Sequence, residues 1–93
     1  HELIERVAAF YEIHIDDLVS SCRRKELVNP RQIAMYLLRE ELDVSYPTIG
    51  TELGGRDHTT AMHAYQKVSR LVSENPRIKQ EIELLRQKIY AHA

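Results

Sequence analysis

Ninety-three residues, 43% hydrophobic and 29% charged, suffice for one soluble domain with a modest core and are too few for an elaborate cleft enzyme. A lone cysteine, Cys22, excludes an intrachain disulfide and a cysteine-based zinc site and fits a reducing cytoplasm. No apolar run approaches the roughly 18 residues of a membrane span, no secretory signal opens the chain, and a net charge of -1 excludes a uniformly basic chain.

The expected elements are helical throughout. Leu3, Ile4, Val7, Ala8 and Tyr11 recur at helical spacing, which predicts a first helix over about 2–13. Asp16 is placed to cap a short turn carrying Leu18 and Val19. From Ser20 to Val28 no periodicity is sustained, and Arg23, Arg24, Lys25 and Glu26 mark a basic loop whose composition predicts mobility until it meets a counter-charge. Asn29, Pro30 and Gln32 then read as the cap of a helix over about 30–42, with Ile33, Ala34, Leu37, Leu38 and Leu42 as its buried stripe. Ser45 and Pro47 open a short helix with Ile49 and Leu53 inward. Gly50 inside it costs roughly 1 kcal/mol against Ala, which suggests close approach of a neighbouring helix. Gly54 suits a left-handed helix end. A helix from Asp57 to about 72 follows, its apolar side Ala61, Ala64, Tyr65, Val68, Leu71 and Val72. Asn75-Pro76 starts a last helix striped by Ile78, Ile82, Leu85 and Ile89. Packing against the domain's own core outweighs a dimer seam along that stripe.

Charge is segregated along the chain. Residues 1–19 sum to -4, 20–39 to +4, 40–53 to -4, 54–72 to +2 and 73–93 to +1. Two basic segments alternating with acidic ones can present one basic face, or simply a set of solvated helix faces. The helix at 46–53, the turn Gly54-Gly55-Arg56 and the helix at 57–72 have the order of a helix-turn-helix. In that motif the start of the second helix meets base edges in the major groove. Asp57, His58, Thr59 and Thr60 stand at that start: Asp can accept from a cytosine amino group, Thr can touch a thymine methyl, and His can make either kind of contact. Asp57 also serves as a plain helix cap, and both roles remain open on sequence grounds. Gly54-Gly55-Arg56 lacks the ending of a phosphate-binding P-loop. His58 and His63, five apart with only Asp57 nearby, do not make a metal site, and Cys22 has no partner arrangement for nucleophilic catalysis.

The runs NPRQIAMYLLREEL, YPTIGTELGG and GGRDHTTAMHAYQKV, spanning about Ile4 to Leu85 with their flanks, resemble the C-terminal DNA-binding domain of the DnaA family of bacterial replication initiators. The resemblance implies an all-α, Trp-repressor-like domain of about six helices over 1–93. Its parts would be an N-terminal helix and short turn (1–19), a basic loop (20–29), a helix-turn-helix region (30–72) and a C-terminal helix (73–93). It implies a monomeric, cytoplasmic binder of double-stranded DNA boxes of the TTATNCACA type at a replication origin, with no enzyme activity and no membrane partner. The family's ATPase, and with it ATP as a cofactor, would lie outside this chain, which lacks an initiator Met and so reads as a fragment.

Carried over by position, the resemblance assigns base contacts to Asp57, His58 and Thr59 in the major groove, to Pro47 (with Tyr46 beside it) at thymine methyls, and to Arg23 in the minor groove. Phosphate contacts fall to Arg31, Gln32, Arg39, Thr60 and Lys67, with Lys25, Ile49 and His63 as additions. The chain departs from the family at Ser21, where a basic residue is usual, at Glu26, and at Leu27-Val28-Asn29. These changes leave Arg24 as an alternative minor-groove residue and predict weaker non-specific binding. Two other readings stand beside this one: the same domain borrowed by a transposase-associated or regulatory protein, and a helical protein-interaction bundle that uses the acidic first segment.

Overall fold

A computed structural model describes residues 2–91; His1, His92 and Ala93, the ends of the expected 1–93 span, lie outside the described residues. The helices are α1 (Glu2–Phe10), α2 (Ile15–Leu18), α3 (Val28–Leu42), α4 (Tyr46–Glu52), α5 (His58–Glu74) and α6 (Pro76–Tyr90), with a single 3-10 turn at Lys25–Leu27 and no strand among the described residues. The all-α expectation of about six helices is met.

Helix α3 is the hub. It packs along α5 and α1, α5 packs on α4 and α6, and α6 returns to α1. Surrounded on several sides, α3 buries Ile33, Ala34, Met35, Tyr36, Leu37 and Leu38 in succession rather than one stripe. Leu42, expected inside, is exposed, because Asp43 turns left-handed (φ 54°) immediately after it and leads the chain away to α4. From α6, Ile82 and Leu85 are fully buried while Ile78 and Ile89 pack at the margin. The α6 stripe thus faces the domain's own core.

Local chemistry sets most boundaries. Helix α1 stops at Phe10, earlier than expected, because Glu12 adopts a left-handed conformation (φ 55°). The amide of Ile13 then bonds the Ala8 carbonyl and that of Glu12 the Ala9 carbonyl, a Schellman end. Ser45 Oγ accepts from the Thr48 amide to cap α4, and Asn75 Oδ1 accepts from the Arg77 and Ile78 amides to cap α6, with Pro76 at the first helical position.

The start of α3 corrects the expected Asn29 cap. Leu27, fully buried, and Val28 already hold right-handed helical dihedrals, so the 3-10 turn runs straight into the helix and Asn29 lies within its first turn. Long-range pairs close the bundle: Tyr11 donates to Glu81 (2.8 Å), and Arg86 and Tyr90 both donate to Glu41 (2.8 Å each). Burial and the Glu81 carboxylate push the Tyr11 hydroxyl's pKa far up, so it stays a donor.

Candidate nucleic-acid interface

The turn between α4 and α5 is built from its glycines outward. Gly54 and Gly55 both have positive φ (96° and 68°), where a side chain is strained. Gly50 is buried where close approach was expected: its nearest neighbours are the backbone of the turn at Arg56 and of Asp57, the cap of the neighbouring helix α5. The Arg56 amide returns to the Gly50 carbonyl at 2.8 Å, folding the turn back on α4. Asp57 then caps α5. Its Oδ1 accepts from the Thr60 amide (2.8 Å) and from the Thr60 hydroxyl (3.0 Å). These bonds hold the Asp57 carboxyl below its usual pKa, so it is an anion at neutral pH. His58 is exposed and Thr59 half-buried on the first turn of α5, beside the cap.

The basic loop folds next to this helix. Between them lies a groove of about 920 Å³ lined by Arg23, Gln32, Arg56, Thr60, His63, Lys67 and Arg70 among others, with no carboxylate among its lining residues. The two basic segments of the sequence thus meet on one face. Within the loop the arginines have different fates. Arg24 is tied to Asp17 at 2.8 Å and lies 3.8 Å from Glu26. Arg23 is exposed at the groove with no hydrogen bond or ion pair among the described residues.

Other residues assigned by the resemblance are distributed as follows. Gln32, Thr60, His63 and Lys67 line the groove with Arg23. Lys25 is exposed on the 3-10 turn, outside the groove lining. Pro47 is exposed in the first turn of α4, next to Tyr46. The Arg39 guanidinium lies 4.8 Å from the Tyr46 ring centroid and 3.6 Å from Asp43. Thr60 reaches the surface, but its hydroxyl proton is committed to Asp57.

Two expected phosphate contacts have their polar groups committed within the protein, although Arg31 also lines the groove. Ile49 is fully buried and its amide is spent on the Ser45 carbonyl. Arg31 is only 4% exposed: Nε donates to Leu18 O (3.0 Å), Nη1 to Cys22 O (2.9 Å) and Nη2 to Asp17 O (2.9 Å). Burial, and then the nearby Arg56 charge, lower its pKa. It is a structural arginine that fastens α2 and the loop to α3.

Two basic residues that line the groove were absent from the expected set. Arg70 follows His63 and Lys67 at helical spacing on α5, a signal visible in the sequence; it lies 3.8 Å from Glu74. Arg56 donates through Nη1 to both Ser20 O and Leu53 O, which no local pattern reveals. Among the described residues no three His, Cys, Asp or Glu side chains gather as a metal site would need, and no helix is long and apolar enough to cross a membrane.

A helix-turn-helix with a capped, polar-tipped second helix beside a carboxylate-free basic groove is the geometry of a DNA-binding domain. The family model of the bacterial DnaA helix-turn-helix matches residues 1–68, from α1 to the middle of α5, a shorter span than the resemblance to Leu85 read from the motifs. With that match over most of its length, the chain belongs to the bacterial DnaA helix-turn-helix family, DNA-binding domains of replication initiation.

Proposed function

We propose that this domain binds double-stranded DNA at DnaA-type origin boxes, in the cytoplasm and as a monomer, with no nucleotide or metal needed for the binding itself. Helix α5 enters the major groove. The charged Asp57 accepts from a cytosine amino group while still capping the helix, and His58 and Thr59 contact the neighbouring base edges. Pro47, at the start of α4, packs on a thymine methyl. Arg23 reaches the adjacent minor groove, where a narrow A·T-rich tract concentrates negative potential. Gln32, Arg39, His63 and Lys67 hold phosphates and fix the register, with Lys25 at the edge of that set; Thr60 joins it by turning its hydroxyl proton from Asp57 to a phosphate.

One observation carries this reading. The basic loop and the recognition helix flank a single groove without carboxylates, and of the two adjacent loop arginines only Arg23 is left unpaired there. Arg24, held by Asp17, supports the loop rather than reading DNA.

The test is a salt titration against a duplex with one box and a scrambled duplex of equal length. The boxed duplex should bind on the order of 10³-fold tighter, and affinity should fall steeply as salt displaces the counterion-release contribution. Equal affinity for the two duplexes rejects the proposal. Within that assay Arg23→Ala and Thr59→Ala should each lose about 1–3 kcal/mol on the boxed duplex and little on the scrambled one. Lys67→Ala should weaken both duplexes equally and lower the salt slope by about one phosphate contact. A loss confined to the boxed duplex would count against a phosphate role for Lys67.

A further inference from the structure

The geometry points to Arg56 as a positioning residue for minor-groove reading: it fixes the basic loop, and so Arg23, relative to the recognition helix. This rests on the DNA reading above and assigns Arg56 a task distinct from touching DNA. Its Nη1 bridges Ser20 O (3.2 Å), at the root of the loop, and Leu53 O, at the end of α4, joining positions 36 apart in sequence. Gly54 sits between the bonded groups; a Cβ there would overlap both the Arg56 guanidinium and the Ser20 carbonyl. The turn of the helix-turn-helix is therefore shaped to let this arginine reach the loop.

The loop is held from a second side as well. Arg31, on α3, takes the carbonyls of Asp17, Leu18 and Cys22, and Ser20 Oγ bonds both Asp17 O (2.7 Å) and the Cys22 amide (3.1 Å). The backbone is thus fixed up to Cys22, and the Arg24–Asp17 pair fixes it again immediately after Arg23. Arg23 stands on one residue of free chain between two anchors. Arg31 ties that unit to α3, whereas among the described residues Arg56 alone hydrogen-bonds it to the turn that launches α5. Removing Arg56 would leave the loop folded but unregistered against the reading helix, so minor-groove and major-groove contacts would no longer be presented at one fixed spacing.

The test is a double-mutant cycle on the boxed and scrambled duplexes with Arg56→Ala, Arg23→Ala and the pair. Arg56→Ala is expected to weaken the boxed duplex about tenfold with little change on the scrambled one. The double variant should bind no more weakly than the weaker single variant, because both remove the same contact. Additive losses would mean that Arg56 meets DNA itself and would overturn the inference. Arg56→Met keeps the apolar stem but removes both donors; parental binding of the boxed duplex by Arg56→Met would also overturn it.

Amide hydrogen exchange on the free protein gives a readout without DNA. Arg56→Ala should speed exchange at the hydrogen-bonded amides of Ser20, Cys22 and Arg56 and leave α6 unchanged. Unchanged loop exchange rejects the clamp, whereas a parent protein that fails to discriminate the duplexes rejects only the box reading. If Arg56→Ala does not fold, Arg56→Gln takes its place in the cycle and in the exchange measurement.

Discussion

Gly50→Ala is expected to destabilise the domain by about 2–3 kcal/mol and to remove most of its discrimination between boxed and scrambled DNA. Two effects oppose each other. Alanine is the better helix former, a gain of about 1 kcal/mol in an unobstructed helix. Here, however, the new Cβ would overlap the Arg56 carbonyl oxygen and stand 2.9 Å from both the Arg56 carbonyl carbon and the Asp57 carbonyl oxygen. These are backbone atoms with no rotamer to yield, and Arg56 is bonded to Gly50 through its amide. The turn must open, and Asp57, the cap that aims α5, moves with it. A loss of that size lowers the melting temperature by roughly 10–20 °C for a domain of this length. Gly55→Ala is the control: nothing lies within 4 Å of its Cβ, so only the left-handed backbone (φ 68°) is charged, about 1 kcal/mol. Thermal melts of both variants decide the matter; a Gly50→Ala protein more stable than its parent would show that propensity wins over the overlap.

Gly50 also marks how far the sequence could be read. Its burial and the need for close approach were legible, but the atoms that come close belong to the turn six residues on. Caps at Ser45, Asp57 and Asn75 were legible because each bond is made within three residues. Asn29 carried the same signal and failed, since the buried Leu27 draws a 3-10 turn into α3 and leaves no helix end to cap. Burial around α3 was underestimated at Met35, which helices from other parts of the chain close in, whereas Tyr36 is buried as its type suggested and stacks on Tyr65 at 5.3 Å.

The candidate interface was legible in kind and less so in the roles of its arginines. Arg23, Arg24, Arg31 and Arg56 carry the same group, and sequence position alone makes each a candidate for phosphate or base. What separates them is the set of oxygens the fold brings near. Arg24 meets a carboxylate, Arg31 meets three carbonyls, Arg56 bridges two, and Arg23 meets none. Partners at separations of 7 to 36 residues lie beyond any motif. For Asp57 through Thr60 the ambiguity is smaller, because they stand together on one turn whose start the Asp57 cap fixes.

Arg31→Met is expected to cost about 3 kcal/mol of stability, through the carbonyls it abandons rather than through lost charge. Methionine keeps the apolar stem and much of the volume, so packing changes little. The Leu18 carbonyl, bonded in a buried setting, would bear a full desolvation penalty of about 1–3 kcal/mol, while the half-buried bonds to Asp17 and Cys22 can be partly replaced by water. Relief works in the other direction: burial and the Arg56 charge both disfavour the Arg31 cation, and the variant is spared that repulsion. The orphaned carbonyls still dominate, because three directed bonds are lost and no donor on α3 replaces them. Arg31→Lys should recover less than half of the loss, since one ammonium cannot serve carbonyls that a planar fork reaches from three sides. Urea unfolding reads the result as a lower midpoint at an unchanged slope. A phosphate-gripping Arg31 makes the opposite prediction: stability within about 0.5 kcal/mol of the parent, with the salt dependence of DNA binding reduced by about one contact. The 4% exposure of Arg31 and its three carbonyl bonds favour the first outcome.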